Sequence, residues 1–286
     1  MTRRVWLRAA ALAGAVVAVI VGLTLYFSSE SVPPCLASGA PRWHAPTDNE
    51  PHRFMLVVPP GAACFFALDD EHKLVGTLDL PQASPPSVAA PLADDVAIRT
   101  ASGPYTLDLR SGLFDKGGLA PFDYDPLTLL DQAHRVLYVT QRGLLGFRVI
   151  DLSTGSDLYV IRFKGFTWNP GFGPNPPSHG LALAPDRPQL WVLDAPNRTL
   201  HLFDVSGLPQ RPPRRLADVR LERTMSKPGS LLLSGDGRFL YVGESGDVID
   251  TQTRTSVIQL AALKDARALL EVDWVDGRPV FPGYPR

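Results

Sequence analysis

The sequence predicts an all-β protein built from a repeated unit of short antiparallel strands. The clearest unit covers residues 178–205, where three apolar or β-branched runs are separated by turns that contain Pro185-Asp186 and Pro196-Asn197. Short runs punctuated by Pro, Asp and Asn are typical of antiparallel strands joined by tight turns. One such unit cannot bury both of its faces, so it requires neighbours of the same kind.

Strands that end in aspartate recur along the chain and give the length of the repeat. These aspartates are Asp69, Asp108, Asp151, Asp204 and Asp250. They are separated by 39, 43, 53 and 46 residues, and an apolar middle strand precedes each one. A repeat of about 40–50 residues with four short strands is typical of a β-propeller blade. Residues 52–286 therefore predict an all-β β-propeller of about six blades, with a range of about five to seven.

The N-terminus predicts a transmembrane helix that acts as an uncleaved signal anchor. Residues 1–8 carry three arginines, and residues 9–27 follow without a charged side chain. About 20 apolar residues are enough to cross the hydrocarbon core, and this run is longer than the apolar region of a cleavable signal peptide. Cleavage near residues 29–31 is the alternative. The arginines favour a cytoplasmic tail, so we expect the propeller to be extracytoplasmic, at the cell surface or in the periplasm.

A linker over residues 28–51 contains the first of two cysteines. It is rich in Ser, Pro, Ala and Gly and has no hydrophobic period, as is typical of an irregular connection. Cys35 lies in this linker and Cys64 in the first strand-rich unit. Two cysteines in an exported segment can form a disulfide that holds the linker on the domain. Two independent thiols are the alternative, because the sequence does not show whether the residues approach each other.

The remaining features of the repeat concern its turns, its insertions and its closure. Asx side chains accept backbone N–H groups in the turn that follows, so we expect all five strand-end aspartates to be structural. Insertions at residues 165–177 and 208–228 are expected to form loops on a face of the propeller. The C-terminal hairpin, residues 269–281, is expected to combine with residues 43–51 in a sixth blade, because an open ring would expose edge strands.

Several short motifs resemble those of a known family. Residues 138–141 read Tyr-Val-Thr-Gln, residues 150–155 read Ile-Asp-Leu-Ser-Thr-Gly, and residues 234–237 read Ser-Gly-Asp-Gly. On these motifs the chain resembles the YVTN-type repeat β-propellers, a bacterial group named for a Tyr-Val-Thr-Asn tetrapeptide in the middle strand. The resemblance covers roughly residues 50–286. It implies an extracytoplasmic β-propeller, and it does not imply an activity, because one fold supports many functions.

Composition and motifs limit the classes of partner and of chemistry. The formal net charge is -1, and because nucleic-acid binding requires a basic surface, we expect no nucleic-acid partner. The chain has no Gly-x-Ser-x-Gly, His-Glu-x-x-His, P-loop, Cys-x-x-Cys-His or calcium-loop motif. We therefore expect no catalytic residue, no metal and no cofactor.

Aromatic and histidine side chains near the first insertion are the first candidates for a binding surface. His179 begins a strand whose start lies near the central channel of a propeller, where a histidine can bind a metal or act as a base. A hydrogen bond within its own loop is the alternative. Trp168 and Phe172 suit contacts with a sugar, peptide or protein, unless Trp168 covers the core of the domain itself.

Arginines are the second set of candidates. Arg214 and Arg215 form with Arg211 a basic, proline-rich patch that suits an acidic partner or lipid headgroups, and a solvated loop is the alternative. Arg142 completes the predicted binding surface.

The sequence leaves two classes of function open. The first is a membrane-anchored binding or interaction module that holds a protein, peptide or polysaccharide through its face loops. The second is a propeller enzyme, lactonase-like or quinoprotein-like, with a site at the channel mouth. Such an enzyme would bring several acidic or histidine side chains together at the channel. The six scattered histidines offer no such set, which favours the binding module.

Overall fold

The described part of the chain is almost entirely β-structure, which confirms the all-β prediction. In the computed structural model it comprises residues 34–37, 39–69, 71–80, 86–100, 103–116, 128–141, 143–165, 180–222, 230–264, 266 and 268–282. The predicted membrane helix and basic tail lie outside these residues. Within the described ranges, no helix is long and apolar enough to cross a membrane.

The strands form consecutive antiparallel sheets. The first sheet begins with β1 (His52–Val58), β2 (Ala62–Ala67) and β3 (Lys73–Asp79). The second contains β4 (Pro86–Leu92), β5 (Asp95–Thr100), β6 (Gly103–Asp108) and β7 (Leu113–Lys116). The third contains β8 (Thr128–Asp131), β9 (Val136–Val139), β10 (Gly146–Asp151) and β11 (Asp157–Arg162).

The C-terminal half continues the same pattern. The fourth sheet contains β12 (Leu181–Leu183), β13 (Gln189–Asp194), β14 (Thr199–Asp204) and β15 (Arg214–Arg220). The fifth contains β16 (Leu231–Leu233), β17 (Phe239–Val242), β18 (Asp247–Asp250) and β19 (Thr255–Gln259). A 3-10 helix (Ala261–Leu263) leads to the last hairpin, β20 (Ala268–Val275) and β21 (Arg278–Val280).

The C-terminal hairpin completes the first sheet, whose strand order is β21-β20-β1-β2-β3. Strand β20 pairs with the whole of β1, from His52 opposite Trp274 to Val58 opposite Ala268. The hairpin therefore does not form a sixth sheet with residues 43–51, because β1 offers a complete unpaired edge. The described residues form five sheets, at the lower end of the predicted range.

The first strands of four pairs of sheets contact each other. Strand β20 contacts β4 and β16, and β12 contacts β8 and β16. The sheets are thus stacked face to face around these strands, as expected of propeller blades.

Strand β1 shows why the middle strands are so apolar. Its alternate residues point to opposite faces of the sheet. Phe54 and Leu56 pack with Val96 of the second sheet, and Met55 packs with Tyr241 of the fifth. Because both faces are buried between neighbouring sheets, the run shows no polar alternation.

Part of the predicted linker packs on the first sheet. A short helix, α1 (Pro34–Ala37), carries Cys35, which forms a disulfide bond with Cys64 across a Cα–Cα distance of 6.2 Å. Trp43 stacks on Phe65 with ring centroids 3.9 Å apart. A Cβ on Gly76 would lie 2.8 Å from the Trp43 Cα, so this close approach requires glycine.

The strand-end aspartates stabilise turns, as predicted, at four described positions: Asp108, Asp151, Asp204 and Asp250. Each accepts a backbone N–H two residues further along the chain, at distances of 2.8, 2.7, 3.0 and 2.9 Å respectively. The fifth, Asp69, lies at the cavity described below.

Candidate functional site

A cavity of about 790 Å³ opens between the first and fifth sheets. Its wall is formed by β1, the turn between β2 and β3, the turn between β16 and β17, and β19. The pairing of β20 with β1 joins the two ends of the domain in one sheet and brings these segments together. The cavity therefore joins residues from the two ends of the folded domain.

Arg53 is the centre of an ion cluster beside the cavity. Its Nη1 donates to Asp236 at 2.9 Å and its Nη2 donates to Glu271 at 2.8 Å. The carboxylates of Asp273 and Asp69 lie 3.7 and 3.8 Å from the guanidinium. Burial opposes the charge of Arg53, but its hydrogen bonds to the carboxylates of Asp236 and Glu271 outweigh burial and raise the pKa of Arg53.

The carboxylates around Arg53 titrate differently because their burial differs. The Glu271 side chain is 2% exposed, and burial raises its pKa in spite of Arg53. Burial also raises the pKa of Asp273. At Asp236 burial is outweighed by hydrogen bonds from Ser234, from the Arg238 backbone N–H and from Arg53, which lower its pKa to about 2.

His72 is a buried polar side chain of the cavity wall. It is 4% exposed, and its Nε2 lies 2.9 Å from the Tyr241 hydroxyl. Its Nδ1 has no hydrogen-bond partner among the described residues. Burial, together with the charge of Arg238, lowers the pKa of His72, so the ring is neutral near pH 7.

The turn that carries His72 has an unusual backbone. Glu71 and His72 both have positive φ, 48° and 59°, a region that residues other than glycine rarely occupy. The turn leaves Glu71 exposed and buries His72. It therefore contributes an exposed carboxylate and a buried imidazole to the cavity wall.

The charges that line the cavity are predominantly negative. Two guanidinium groups, from Arg53 and Arg238, face four carboxylates. These carboxylates belong to Asp69, Glu71, Asp236 and Asp250. The apolar part of the wall consists of Leu68, Phe239, Val257 and Ile258. With His72 neutral, the wall combines an excess of two negative charges with an apolar surface.

Four of the binding residues predicted from the sequence are not described by the structure. His179, Trp168, Phe172 and Arg142 fall outside the described residues.

The two described arginines of the predicted surface lie on β15 in the fourth sheet. Arg214 donates to Asp204 at 3.0 Å, and Arg215 donates to Asp218 at 2.5 Å. The structure therefore places them in ion pairs away from the cavity wall.

A second polar cluster lies in the fourth sheet, and it was not predicted from the sequence either. The His201 Nε2 lies 3.1 Å from Asp194, and its Nδ1 lies 2.9 Å from Asp218. His201 and Asp194 are 3% and 1% exposed, so this network joins β13, β14 and β15 inside the sheet. In the part of the chain that the structure describes, no group of three or more His, Cys, Asp or Glu side chains is placed to hold a metal ion.

One feature of the sequence indicates the ion cluster beside the cavity, although it was not used to predict it. Glu271 stands in the middle of the apolar run Ala-Leu-Leu-Glu-Val-Asp-Trp-Val of β20. Glutamate is rarely buried unless it is paired, so its position indicates a buried partner. The sequence does not identify that partner, because Arg53 lies 218 residues away.

Comparison with known proteins gives weak structural likenesses. No protein-family model matches the chain, and no curated protein matches it. A protein of unknown function from Bacteroides caccae aligns with a TM-score of 0.48 and 12% identity, over 78% of this chain and 99% of that one. The β-propeller domain of Myceliophteria thermophila Cps50 (Swd1) aligns with a TM-score of 0.36 and 12% identity, over 79% and 78% of the two chains. A putative 6-phosphogluconolactonase from Bacteroides uniformis gives a TM-score of 0.34 and 20% identity, over 69% and 63%. At these scores none of them assigns a function to the chain.

Proposed function

We propose that this protein is a membrane-anchored, extracytoplasmic β-propeller of the YVTN-repeat type that binds a ligand in the cavity between its first and fifth sheets. The observation that carries the proposal is a cavity of about 790 Å³ with the buried, incompletely hydrogen-bonded His72 in its wall. Ligand sites are typically concave, about 300–1,000 Å³ in volume, and mostly apolar with a few converging polar groups.

The proposed location is supported by the sequence and by the disulfide. The uncharged run over residues 9–27 is long enough to span a bilayer. The Cys35–Cys64 disulfide suits an oxidising compartment outside the cytoplasm. The candidate residue of an enzymatic site at the channel mouth, His179, lies outside the described residues. The cavity is the feature of the described residues that supports a proposal of ligand binding.

A variant that fills the cavity tests the proposal. Val257 lines the cavity and is 48% exposed, so Val257→Trp reduces the cavity without replacing a core side chain. The matched control is Val160→Trp, because Val160 is 43% exposed on β11, the corresponding last strand of the third sheet.

The measurement is saturation-transfer NMR with a fragment library balanced among cations, anions and neutral molecules. The full chain is reconstituted in lipid nanodiscs, and empty nanodiscs are the blank. We expect fragments that bind the wild type and Val160→Trp and lose about tenfold or more in affinity with Val257→Trp. Equal binding to all three proteins, or no binding to any, would overturn the proposal.

A further inference from the structure

The charged side chains that line the cavity differ in how far other groups of the protein compensate them. Arg53 already contacts four carboxylates, so its charge is compensated within the protein. Asp69 makes the longest of these contacts, at 3.8 Å, and its side chain is 60% exposed. Glu71 is exposed on the same turn. Arg238 and Asp250 interact with each other. The negative charge that remains for a ligand is therefore concentrated on the turn between β2 and β3.

His72 adds an acceptor from the same turn. When Nε2 carries the ring proton and donates to the Tyr241 hydroxyl, Nδ1 presents a lone pair. Nδ1 has no partner among the described residues. Three acceptors thus come from one turn, at Asp69, Glu71 and His72. An ammonium group carries three N–H donors on a compact charge, whereas a guanidinium requires a planar, paired acceptor.

The rest of the wall suits a hydrocarbon chain. Leu68, Val257 and Ile258 line the cavity beside the turn. A ligand that carried only charge would leave this apolar surface uncovered, and contact with an alkyl stem removes it from water.

We propose that the cavity recognises a primary ammonium group on an alkyl stem, as in a lysine side chain or a free alkyl diamine. The ammonium binds the acceptors of Asp69, Glu71 and His72, and the stem packs on the apolar wall. This inference rests on the proposed function, since it names the ligand class for the same cavity.

Three probes that differ in side-chain charge test the inference. They are the Nα-acetyl amides of lysine, norleucine and 2-aminoadipate, which share a backbone and a similar alkyl stem and carry a positive, neutral and negative side chain. We measure their affinities for the full chain in nanodiscs by saturation-transfer NMR. The lysine probe is expected to bind about tenfold more tightly than the norleucine probe. The 2-aminoadipate probe should bind most weakly. An increase in NaCl from about 50 to about 500 mM should reduce the lysine preference.

Variants of the turn test whether its carboxylates produce the preference for the lysine probe. Asp69→Asn combined with Glu71→Gln should bring the lysine and norleucine probes to within about threefold of each other. The matched control is Asp115→Asn, because Asp115 is exposed on β7 of a different sheet. This control should keep the full preference. Circular dichroism establishes that each variant is folded.

The outcomes separate the inference from the proposed function. If the norleucine or 2-aminoadipate probe binds as tightly as the lysine probe and Val257→Trp blocks it, the cavity is a ligand site but the ammonium inference is wrong. If no probe and no library fragment binds, both fail. Cadaverine distinguishes the two sources. Tighter binding of cadaverine than of the lysine probe indicates a free diamine, and the reverse order indicates a lysine in a peptide.

Discussion

Arg53 links three parts of the chain through one guanidinium group. It belongs to β1, its partner Asp236 lies in the turn between β16 and β17, and its partners Glu271 and Asp273 lie on β20. A buried carboxylate such as Glu271 is costly unless a cation and hydrogen bonds compensate it. Arg53 therefore has a structural role, and its charge is not available to a ligand in the cavity.

Asp236 makes the stability of this cluster depend on pH. Its pKa in the folded protein, about 2, lies below its ordinary value of 3.8. Ionised Asp236 therefore stabilises the fold above about pH 4, and this contribution is lost as the pH falls through about 2. Because the Asp236 side chain is 41% exposed, solvent screening reduces the contribution to roughly 1 kcal/mol.

We predict that Asp236→Asn lowers the free energy of unfolding by roughly 1 kcal/mol near pH 7. The difference from the wild type should shrink steadily as the pH falls from about 4 to about 2. Urea unfolding at a series of pH values measures both curves, and Asp115→Asn serves as the control with an unchanged curve. A difference that stayed constant with pH would show that the Asp236 charge does not contribute.

At the scale of elements, the segment over residues 34–43 behaves as part of the domain. The backbone N–H of Trp43 donates to the Thr77 carbonyl at 2.9 Å, and its indole N–H donates to the Leu109 carbonyl at 2.9 Å. The first contact covers the last strand of the first sheet, an edge that would otherwise expose unpaired backbone groups. The second joins the segment to the second sheet. The disulfide holds the start of the same segment on β2.

We predict that Cys35→Ala combined with Cys64→Ala lowers the free energy of unfolding by roughly 3–4 kcal/mol. The reason is that the disulfide closes a loop with a sequence separation of 29 residues and so restricts the unfolded chain. Urea unfolding followed by tryptophan fluorescence measures the change.

Reductant provides the control for this prediction. It should destabilise the wild type by a similar amount and leave the double variant unchanged. If the wild type kept its unfolding midpoint in reductant, under conditions in which thiol titration shows both cysteines reduced, the disulfide would not stabilise the domain.

The sequence predicts elements better than it predicts their partners. Strands, turns and turn-forming aspartates follow from local patterns of apolar, Pro, Gly and Asp residues, and the structure bears them out at Asp108, Asp151 and Asp250. The partner of the last hairpin is not a local property. The predicted combination with residues 43–51 was therefore wrong, and the hairpin pairs with β1 instead. The cavity was not predicted for the same reason, because Arg53 and Asp236 are 183 residues apart.

At the scale of the whole molecule, one strand pairing joins the two ends of the domain in a single sheet. Strand β20 contributes the first-strand position of a sheet whose other three repeat strands come from the start of the domain. It contacts β4 on one side and β16 on the other. Without it, β1 would expose an edge and both neighbouring sheets would lose a contact surface. The same pairing brings together the segments that line the cavity.

We predict that ending the chain after Lys264 abolishes cooperative folding, whereas ending it after Pro282 does not. The first truncation removes β20 and β21, including Leu270, Val272 and Trp274, which are 0%, 1% and 2% exposed. Burial of each such side chain contributes about 1.5–3 kcal/mol, and domains are stable by only about 5–15 kcal/mol in total. Far-UV circular dichroism during urea unfolding is the measurement.

Addition of a peptide of residues 265–286 should restore a cooperative transition, because the peptide can pair with the free edge of β1. A truncated chain that unfolded cooperatively at the wild-type midpoint would show that the fold does not depend on this strand pairing.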